Sequence, residues 1–508
     1  MEALAGFAQG LAVAMQPINL GVMVIGVLVG VIAGALPGIS FVNAMAISLP
    51  FTFAMSPLLA MLFLGGIYVG GVFGGSICSL LLNIPGDPDS LPSCWDGYPI
   101  SRRDGPERAL SIAITASAIG GIFSALLLSF ASPPFARFAL TFDQPEFFAA
   151  TVMGLVSVLA IAQGKLIYSL LSLFVGAAIG SVGGDPLYGV SRLTFGVGIL
   201  ENGIDFVVVM IGLFAIGEVL EYVSLRQKHD FTVRDEARMK VLGPRDIWRL
   251  RGSISRGTGI GSVIGIIPGA GATVGALVAY GIERQVNRRR HEFGTGVEDG
   301  LAAPEASKNA TTGTAMIPLL TLGIPGSAAA AIMLAALTMH GVQPGPLLYS
   351  KNPEMLYAIF ASFTLANLFM IVVSVGVARF FGVLMKTDPI ILCAFIIVFS
   401  VIGAFGARNN IADVYICLGF GILGFYMRRF GFPTAPMVLG VILGPLAEGY
   451  FMTSMANYHD DFTVFFTRPK SAVLMALAAG FVLWALFPEL KRLWRWRRGA
   501  RQPGVTLE

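Results

Sequence analysis

Ile267-Pro268-Gly269-Ala270-Gly271 and Gly323-Ile324-Pro325-Gly326 interrupt an apolar stretch at two points. Between them runs the polar segment Glu298-Asp299-Gly300-Leu301-Ala302-Ala303-Pro304-Glu305-Ala306-Ser307-Lys308-Asn309-Ala310-Thr311-Thr312-Gly313. Pro lacks a backbone N–H and clashes with the turn before it, while Gly accepts the dihedrals that restart a helix. Sequence this apolar belongs in a bilayer, where lipid satisfies none of the backbone groups a break sets free. Each break must therefore line a protein cavity. Discontinuous helices of this kind build substrate and ion sites in secondary transporters.

Composition supports that setting. Of 508 residues, 55% are hydrophobic and only 13% charged, which excludes an ordinary soluble domain. The reading is an all-α polytopic membrane protein, and its 62 glycines suit close helix packing and helix breaks. The net charge of +4 points to no nucleic acid, because the basic residues gather in loops as topology signals do. Cys78, Cys94, Cys393 and Cys417 make no CxxC pair and are expected as buried small hydrophobes. His229, His291, His340 and His459 are scattered without metal-ligand spacing, and no cofactor is expected. The N-terminus shows no positive n-region, so no secretory signal is expected.

The break pattern occurs twice. Gly30, Gly34, Pro37 and Gly38 fall on Gly261, Gly265, Pro268 and Gly269. Leu82-Asn83-Ile84-Pro85-Gly86 matches Leu322-Gly323-Ile324-Pro325-Gly326, and Ala136-Arg137-Phe138 matches Ala378-Arg379-Phe380. Three matches in one order imply an internal duplication. The expected organisation is a first transmembrane repeat at 1–225, a basic cytoplasmic linker at 226–256, a second repeat at 257–451, and a final helix with a basic tail at 452–508.

Charge orients the halves. The 226–256 stretch carries nine Lys/Arg, and the tail Lys491-Arg492-Leu493-Trp494-Arg495-Trp496-Arg497-Arg498 is also basic, so both are expected in the cytoplasm. Counting spans back from each places Arg102, Arg103 and Arg108 inside and the equivalent 343–353 loop outside. The halves are thus expected as inverted-topology repeats. Segment 257–281 resists a single crossing, because Arg249 and Arg251 precede it and Arg288-Arg289-Arg290 follow. Each arm beside Pro268-Gly269 is about ten residues, roughly 15 Å of helix, or half a bilayer. A re-entrant hairpin with Pro268–Gly271 at its tip is expected, with an ordinary kinked helix as the alternative.

A restarted helix offers free N–H groups and the positive end of its dipole, an anion site that needs no charged side chain. The substrate-binding candidates are therefore Pro37, Gly38, Ser40, Asn43, Asn83, Pro85, Gly86, Pro268, Gly269, Gly271, Thr273, Pro325, Gly326 and Ser327. Small hydroxyl and amide groups can hold a cation together with freed carbonyls. Ser76, Asn309, Thr311, Thr312 and Thr314 are the candidates for Na⁺, although interhelical bonding is their ordinary role. Glu305 and Lys308 share a helix face, and at membrane depth such residues are functional candidates, whereas in the interface a solvated pair means little. Asp87 and Asp89 follow Gly86 directly. Carboxylates there would repel an anionic substrate unless they hold a cation or line the entry.

Gly34-Ala35-Leu36-Pro37-Gly38, Gly74-Gly75-Ser76, Leu82-Asn83-Ile84-Pro85-Gly86, Asp96-Gly97-Tyr98-Pro99, Ala302-Ala303-Pro304-Glu305, Asn309-Ala310 and Leu320-Thr321-Leu322-Gly323-Ile324-Pro325-Gly326 together resemble the large membrane subunit of the tripartite tricarboxylate transporters. The resemblance spans essentially the whole chain. It implies a bacterial inner-membrane permease working beside a small membrane subunit of about four helices and a periplasmic solute-binding protein. The implied activity is uptake of a carboxylate coupled to Na⁺ or H⁺. Asp87-Pro88-Asp89 departs from the neutral residues of many members, which counts against citrate itself. A stand-alone permease or a passive channel is the alternative. An intramembrane enzyme would need a nucleophile with its base or a metal cluster, and neither HExxH nor a Walker A motif occurs.

Overall fold

The computed structural model describes residues 2–36, 40–160, 166–185, 189–225, 239–384 and 389–499. Pro37 and Gly38, residues 226–238 of the basic linker and 500–508 of the tail lie outside the described residues. The main helices are α1 (Glu2–Ala14), α2 (Pro17–Ala35), α3 (Phe41–Thr52), α4 (Pro57–Leu82), α5 (Leu91–Arg103) and α6 (Pro106–Ala139). They continue with α7 (Gln144–Ala160), α8 (Leu166–Gly180), α9 (Phe206–Ser224), α10 (Pro244–Ile266), α11 (Gly271–Val286), α12 (Glu298–Thr314) and α13 (Met316–Leu322). The last are α14 (Ala328–Met339), α15 (Pro353–Leu384), α16 (Pro389–Arg408), α17 (Ile411–Arg429), α18 (Thr434–Asn457) and α19 (Pro469–Gly499). Among the described residues seven helices are long and apolar enough to cross a membrane. The chain is an all-α polytopic membrane protein. Its described strands are one two-residue pair, Gly183–Gly184 with Ser191–Arg192.

The chain forms two compact units. Met1–Thr141 with Ile204–Phe430 make the first, and Phe142–Gly203 with Gly431–Glu508 make the second. Each draws on both halves of the duplicated sequence, so the units cut across the boundaries the repeat suggests.

The first unit is built on a repeated helix contact. In the first half a Cβ on Gly26, Gly30 or Gly34 of α2 would run into the backbone carbonyls of Phe63, Ile67 and Gly71 on α4. In the second half Gly257 and Gly261 of α10 lie on the carbonyls of Ala303 and Ser307, and Gly265 lies against Thr311 and Thr314, all on α12. A stripe of small residues lets two backbones touch, which is how helices associate where no hydrophobic effect separates them from lipid. The paired sequence motifs thus make the same contact twice. The longer helices also cross between halves: α6 packs on α12, and α15 packs on α4.

The region around Pro268 is a helical hairpin. Arg256, midway along α10, binds Glu283 near the end of α11 (2.7 and 2.8 Å), and Ser253 donates to the same carboxylate (3.1 Å). The chain therefore folds back along α10, and the flanking Arg249 and Arg289 both pair with the start of α12, at Glu298 and Asp299. The first arm starts at Pro244, inside the stretch read as linker, because Pro at the first helical position after Gly243 suits helix initiation. Asp96 then pins the following loop by accepting from the backbone N–H groups of Gly294, Gly296 and Val297 (2.9, 2.9 and 2.8 Å). Arg108 joins the same end, donating to Asp246 (2.9 and 3.0 Å) and Glu298 (2.8 Å). Hydrogen bonds from Arg108 hold the Asp246 carboxyl below the usual carboxylate range. That stabilisation is present above the ordinary Asp pKa and fades as pH falls through the depressed value.

The second unit packs α8 on α18 through Gly176, Gly180 and Gly440, each against a facing carbonyl. Helix α7 packs on α18 and α19. One end is tied by Arg468, which donates to Glu146 (2.6 Å) and to Tyr458 Oη (2.6 Å), while Tyr458 donates to Asp143 (2.7 Å). The four cysteines are buried.

Candidate functional site

All the site residues lie in the first unit. Helix α4 ends on Asn83 and α13 ends on Gly323, the paired positions of the two matched motifs. Both adopt the left-handed conformation (φ 60° and 73°), and their N–H groups return to Ser79 O and Leu319 O. Gly and Asn are the residues that tolerate this helix-ending geometry. The backbone of Asn83, a residue named as a substrate contact, therefore ends a helix, and its side chain is exposed.

The breaks come together. Ser40 caps α3, its Oγ accepting from Val42 N–H (3.2 Å), and Phe41 N–H donates to Asp87 Oδ2 (3.3 Å). Gly86 sits so tightly that a Cβ would be 2.5 Å from Gly34 O and 2.6 Å from Gly75 Cα. In the second half a Cβ on Gly326 would be 3.3 Å from Gly265 O, and one on Gly271 would be 3.6 Å from Ser327 Cβ. Tyr68 links the two halves, because its ring stacks on Phe41 (5.7 Å) and its hydroxyl lies 3.4 Å from Ser327 Oγ. Pro268, Gly269 and Pro325 are buried, whereas Pro85 is exposed. Thr273 lies half-buried in the first turn of α11. Ser327 caps α14 by accepting from Ala330 N–H (3.1 Å).

Beside the Leu82–Gly86 break lies a fully buried ion pair. Glu305 and Lys308 of α12 are each 0% exposed, with Nζ 3.3 Å from Oε1. Packing of α12 against α6, α10 and α11 buries both side chains inside the protein, so the pair is not a solvated one. The Glu305 carboxylate accepts from Ser76 (2.8 and 2.9 Å), Ser93 (2.5 Å) and Ser117 (2.9 Å). Lys308 also donates to Ser76 Oγ. Asn309 Nδ2 donates to Ser117 (2.8 Å), which leaves its Oδ1 buried with no partner. Thr311, Thr312 and Thr314 return their hydroxyl protons to carbonyls of their own helix at Lys308, Asn309 and Ala310 (2.6, 2.8 and 2.8 Å). Their oxygens keep acceptor capacity.

Asn43 points elsewhere. Its Nδ2 donates to Glu218 (2.8 Å), which pairs with Arg428, and Arg428 in turn caps Leu213 O (2.8 Å) and Phe214 O (3.3 Å). Those carbonyls belong to a π-helical turn at Ile211–Ile216, where the wider helix misaligns its own hydrogen bonds.

The family model for the tripartite tricarboxylate transporter TctA family matches residues 20–439. The chain belongs to that family. A relative from Agrobacterium vitis, named "Uncharacterized 52.8 kDa protein in TAR-I ttuC' 3'region", is 35% identical over 492 residues, 97% of this chain and 98% of that protein. A second from the same organism, "Uncharacterized protein in TAR-II ttuC' 3'region", is 34% identical over 231 residues, 46% of this chain and 96% of that protein. No solved structure matches the chain. TctA-family membership makes this a multi-pass transport protein, the large membrane subunit of a tripartite tricarboxylate transporter system, and it is a family of transporters rather than enzymes.

Ser93, Ser117, Tyr68, Glu218 and Arg428 enter the site without having been singled out as site residues in the sequence. Ser93 and Ser117 sit 212 and 188 positions from Glu305. Only the glycine neighbours of Tyr68, in Gly65-Gly66-Ile67-Tyr68-Val69-Gly70-Gly71, hint at a helix built for close contact.

Proposed function

We propose that this subunit carries a carboxylate across the bacterial inner membrane by cation-coupled secondary transport, receiving it from a periplasmic solute-binding protein and working beside a small membrane subunit of about four helices. The observation that supports the reading is the meeting of the helix breaks through Phe41, Tyr68, Ser327 and Gly271, next to the buried Glu305–Lys308 pair. N-terminal backbone N–H groups at Ser40–Asn43 and Ser327–Ala330 would attract the substrate, and Na⁺ or H⁺ would offset its charge. Proteoliposomes loaded with the full chain test this with ¹⁴C-labelled succinate, malate and citrate, with and without Na⁺ or a pH gradient. Gradient-dependent accumulation of at least one acid is expected. Equilibration without accumulation under every gradient would favour a passive channel.

Inverted orientation of the two halves belongs to the same proposal, with the C-terminus cytoplasmic. Ser101 is buried, so the exposed Arg102 and Ser350 are the suitable labelling positions. Arg102→Cys is expected to react from the cytoplasmic side and Ser350→Cys from the periplasmic side. Labelling of both from one side would remove the inversion.

A further inference from the structure

Asp89 is the one carboxylate of the central cluster that nothing holds. It is 2% exposed, and both of its oxygens lack a hydrogen-bond partner. Its neighbours are engaged elsewhere. Asp87 accepts from Phe41 N–H, and Glu305 accepts from three serines and pairs with Lys308. The short helical turn Pro88–Ser90 that carries Asp89 packs on α4, α5 and α11. From α4 it faces Tyr68, whose hydroxyl meets Ser327; its charge neighbours are Asp87 beside it and Lys308 and Glu305 on α12. On α11 Tyr280 is bonded to Asp96 and Glu283 to Arg256, while Arg284 lies near that same outer end.

Ionised together, Asp87, Asp89 and Glu305 set three negative charges against the single positive charge of Lys308. An isolated buried carboxylate without donors is costly, and such groups neutralise rather than stay bare. A hard cation takes several oxygen ligands at once, and among the described residues no group of three or more Asp, Glu, His or Cys is placed to supply them. A proton needs only the carboxylate.

We propose that Asp89 is the proton-carrying residue of the transport cycle. The step rests on the transport reading above. A proton from water on the outer side bonds to a carboxylate oxygen of Asp89, giving the neutral acid in the closed state. On the inner side that O–H bond breaks, the proton passes to water, and the carboxylate is restored. Neutralising Asp89 removes one negative charge from the compartment that must admit an anion, so proton and substrate enter together.

Infrared titration of the purified full chain gives a readout that needs no substrate. Wild type is expected to show the carbonyl stretch of a protonated carboxylic acid at neutral pH, lost on alkalinisation. Asp89→Asn is expected to lack that band and Asp89→Glu to keep it. In Na⁺-free proteoliposomes, an inward gradient of one pH unit is expected to concentrate ¹⁴C-succinate about tenfold per coupled proton in wild type. Asp89→Asn is expected to show no accumulation while still exchanging succinate for succinate. An unchanged band or unchanged accumulation in Asp89→Asn would overturn the proposal. If Asp89→Asn also loses exchange, Asp89→Glu decides. Restored exchange with gradient response supports the proton role, and exchange without that response refutes it. Should wild type neither exchange nor accumulate succinate, the transport reading fails for this probe, while the infrared band still decides the protonation of Asp89.

Discussion

Glu305→Met is expected to destabilise the protein by about 3–5 kcal/mol, the usual consequence of stranding one partner of a buried ion pair. The two partners are not equivalent. Without Glu305, the Lys308 ammonium keeps Ser76 Oγ as an acceptor and Asp87 and Asp89 as charge neighbours. Without Lys308, the Glu305 carboxylate still accepts from Ser76, Ser93 and Ser117. Lys308→Met should nonetheless cost at least as much as Glu305→Met, because it also takes from Asp87 and Asp89 their one positive neighbour. The double variant should recover part of the loss, because an apolar pair of similar volume often replaces a buried ion pair at little cost. Unfolding in mixed micelles across the four proteins measures the coupling. Single-variant losses that simply add in the double would mean that the pair does not interact as its geometry indicates. An intact buried ion pair stabilises little, so its place on Ser76 beside the Leu82–Gly86 break points to a role other than stability.

The second large effect concerns the repeated glycine contact. Gly261→Leu puts a side chain where the Ser307 carbonyl lies, and Gly30→Leu does the same at Ile67. Overpacking a filled contact typically costs about 1–3 kcal/mol, and here the obstacle is backbone that cannot rotate away. Both variants are expected to lose most of their monodisperse folded protein on size exclusion. Gly376→Leu on α15, with nothing within 4 Å of a Cβ, should behave as wild type. Wild-type recovery of Gly261→Leu would show that α10 and α12 are not in close contact. Gly440 is no neutral control, because its Cβ would meet the Leu173 carbonyl.

What could be read in the sequence is what local chemistry dictates. Pro268-Gly269 ends one arm and starts another, whatever surrounds it, and arginines on both flanks required the chain to return. The match of Asn83 with Gly323 needed only the rule for ending a helix. Long-range partners left no such trace. Nothing in the run Leu91-Pro92-Ser93-Cys94 says that its serine will meet a carboxylate on α12. The burial of Glu305 was equally hidden, because polar residues look solvated until α6, α10 and α11 close around them. Asp87 illustrates a subtler gap. The argument that a restarted helix draws an anion was sound physics, yet at α3 the chain supplies a carboxylate of its own to Phe41 N–H. The open N–H groups left for a substrate are correspondingly fewer in the first half than the repeat implied.

The position of a bound carboxylate tests the convergent site most directly. A brominated dicarboxylate such as bromosuccinate, soaked into the full chain and located by its bromine signal in an experimental structure, gives that position without depending on any mutant's folding. Its carboxylate is expected within hydrogen-bond reach of the backbone at Ser40–Asn43 or Ser327–Ala330, between the helix breaks. A carboxylate bound more than about 10 Å from Gly38, Gly86, Gly269 and Gly326, beyond the reach of a helix end, would contradict it.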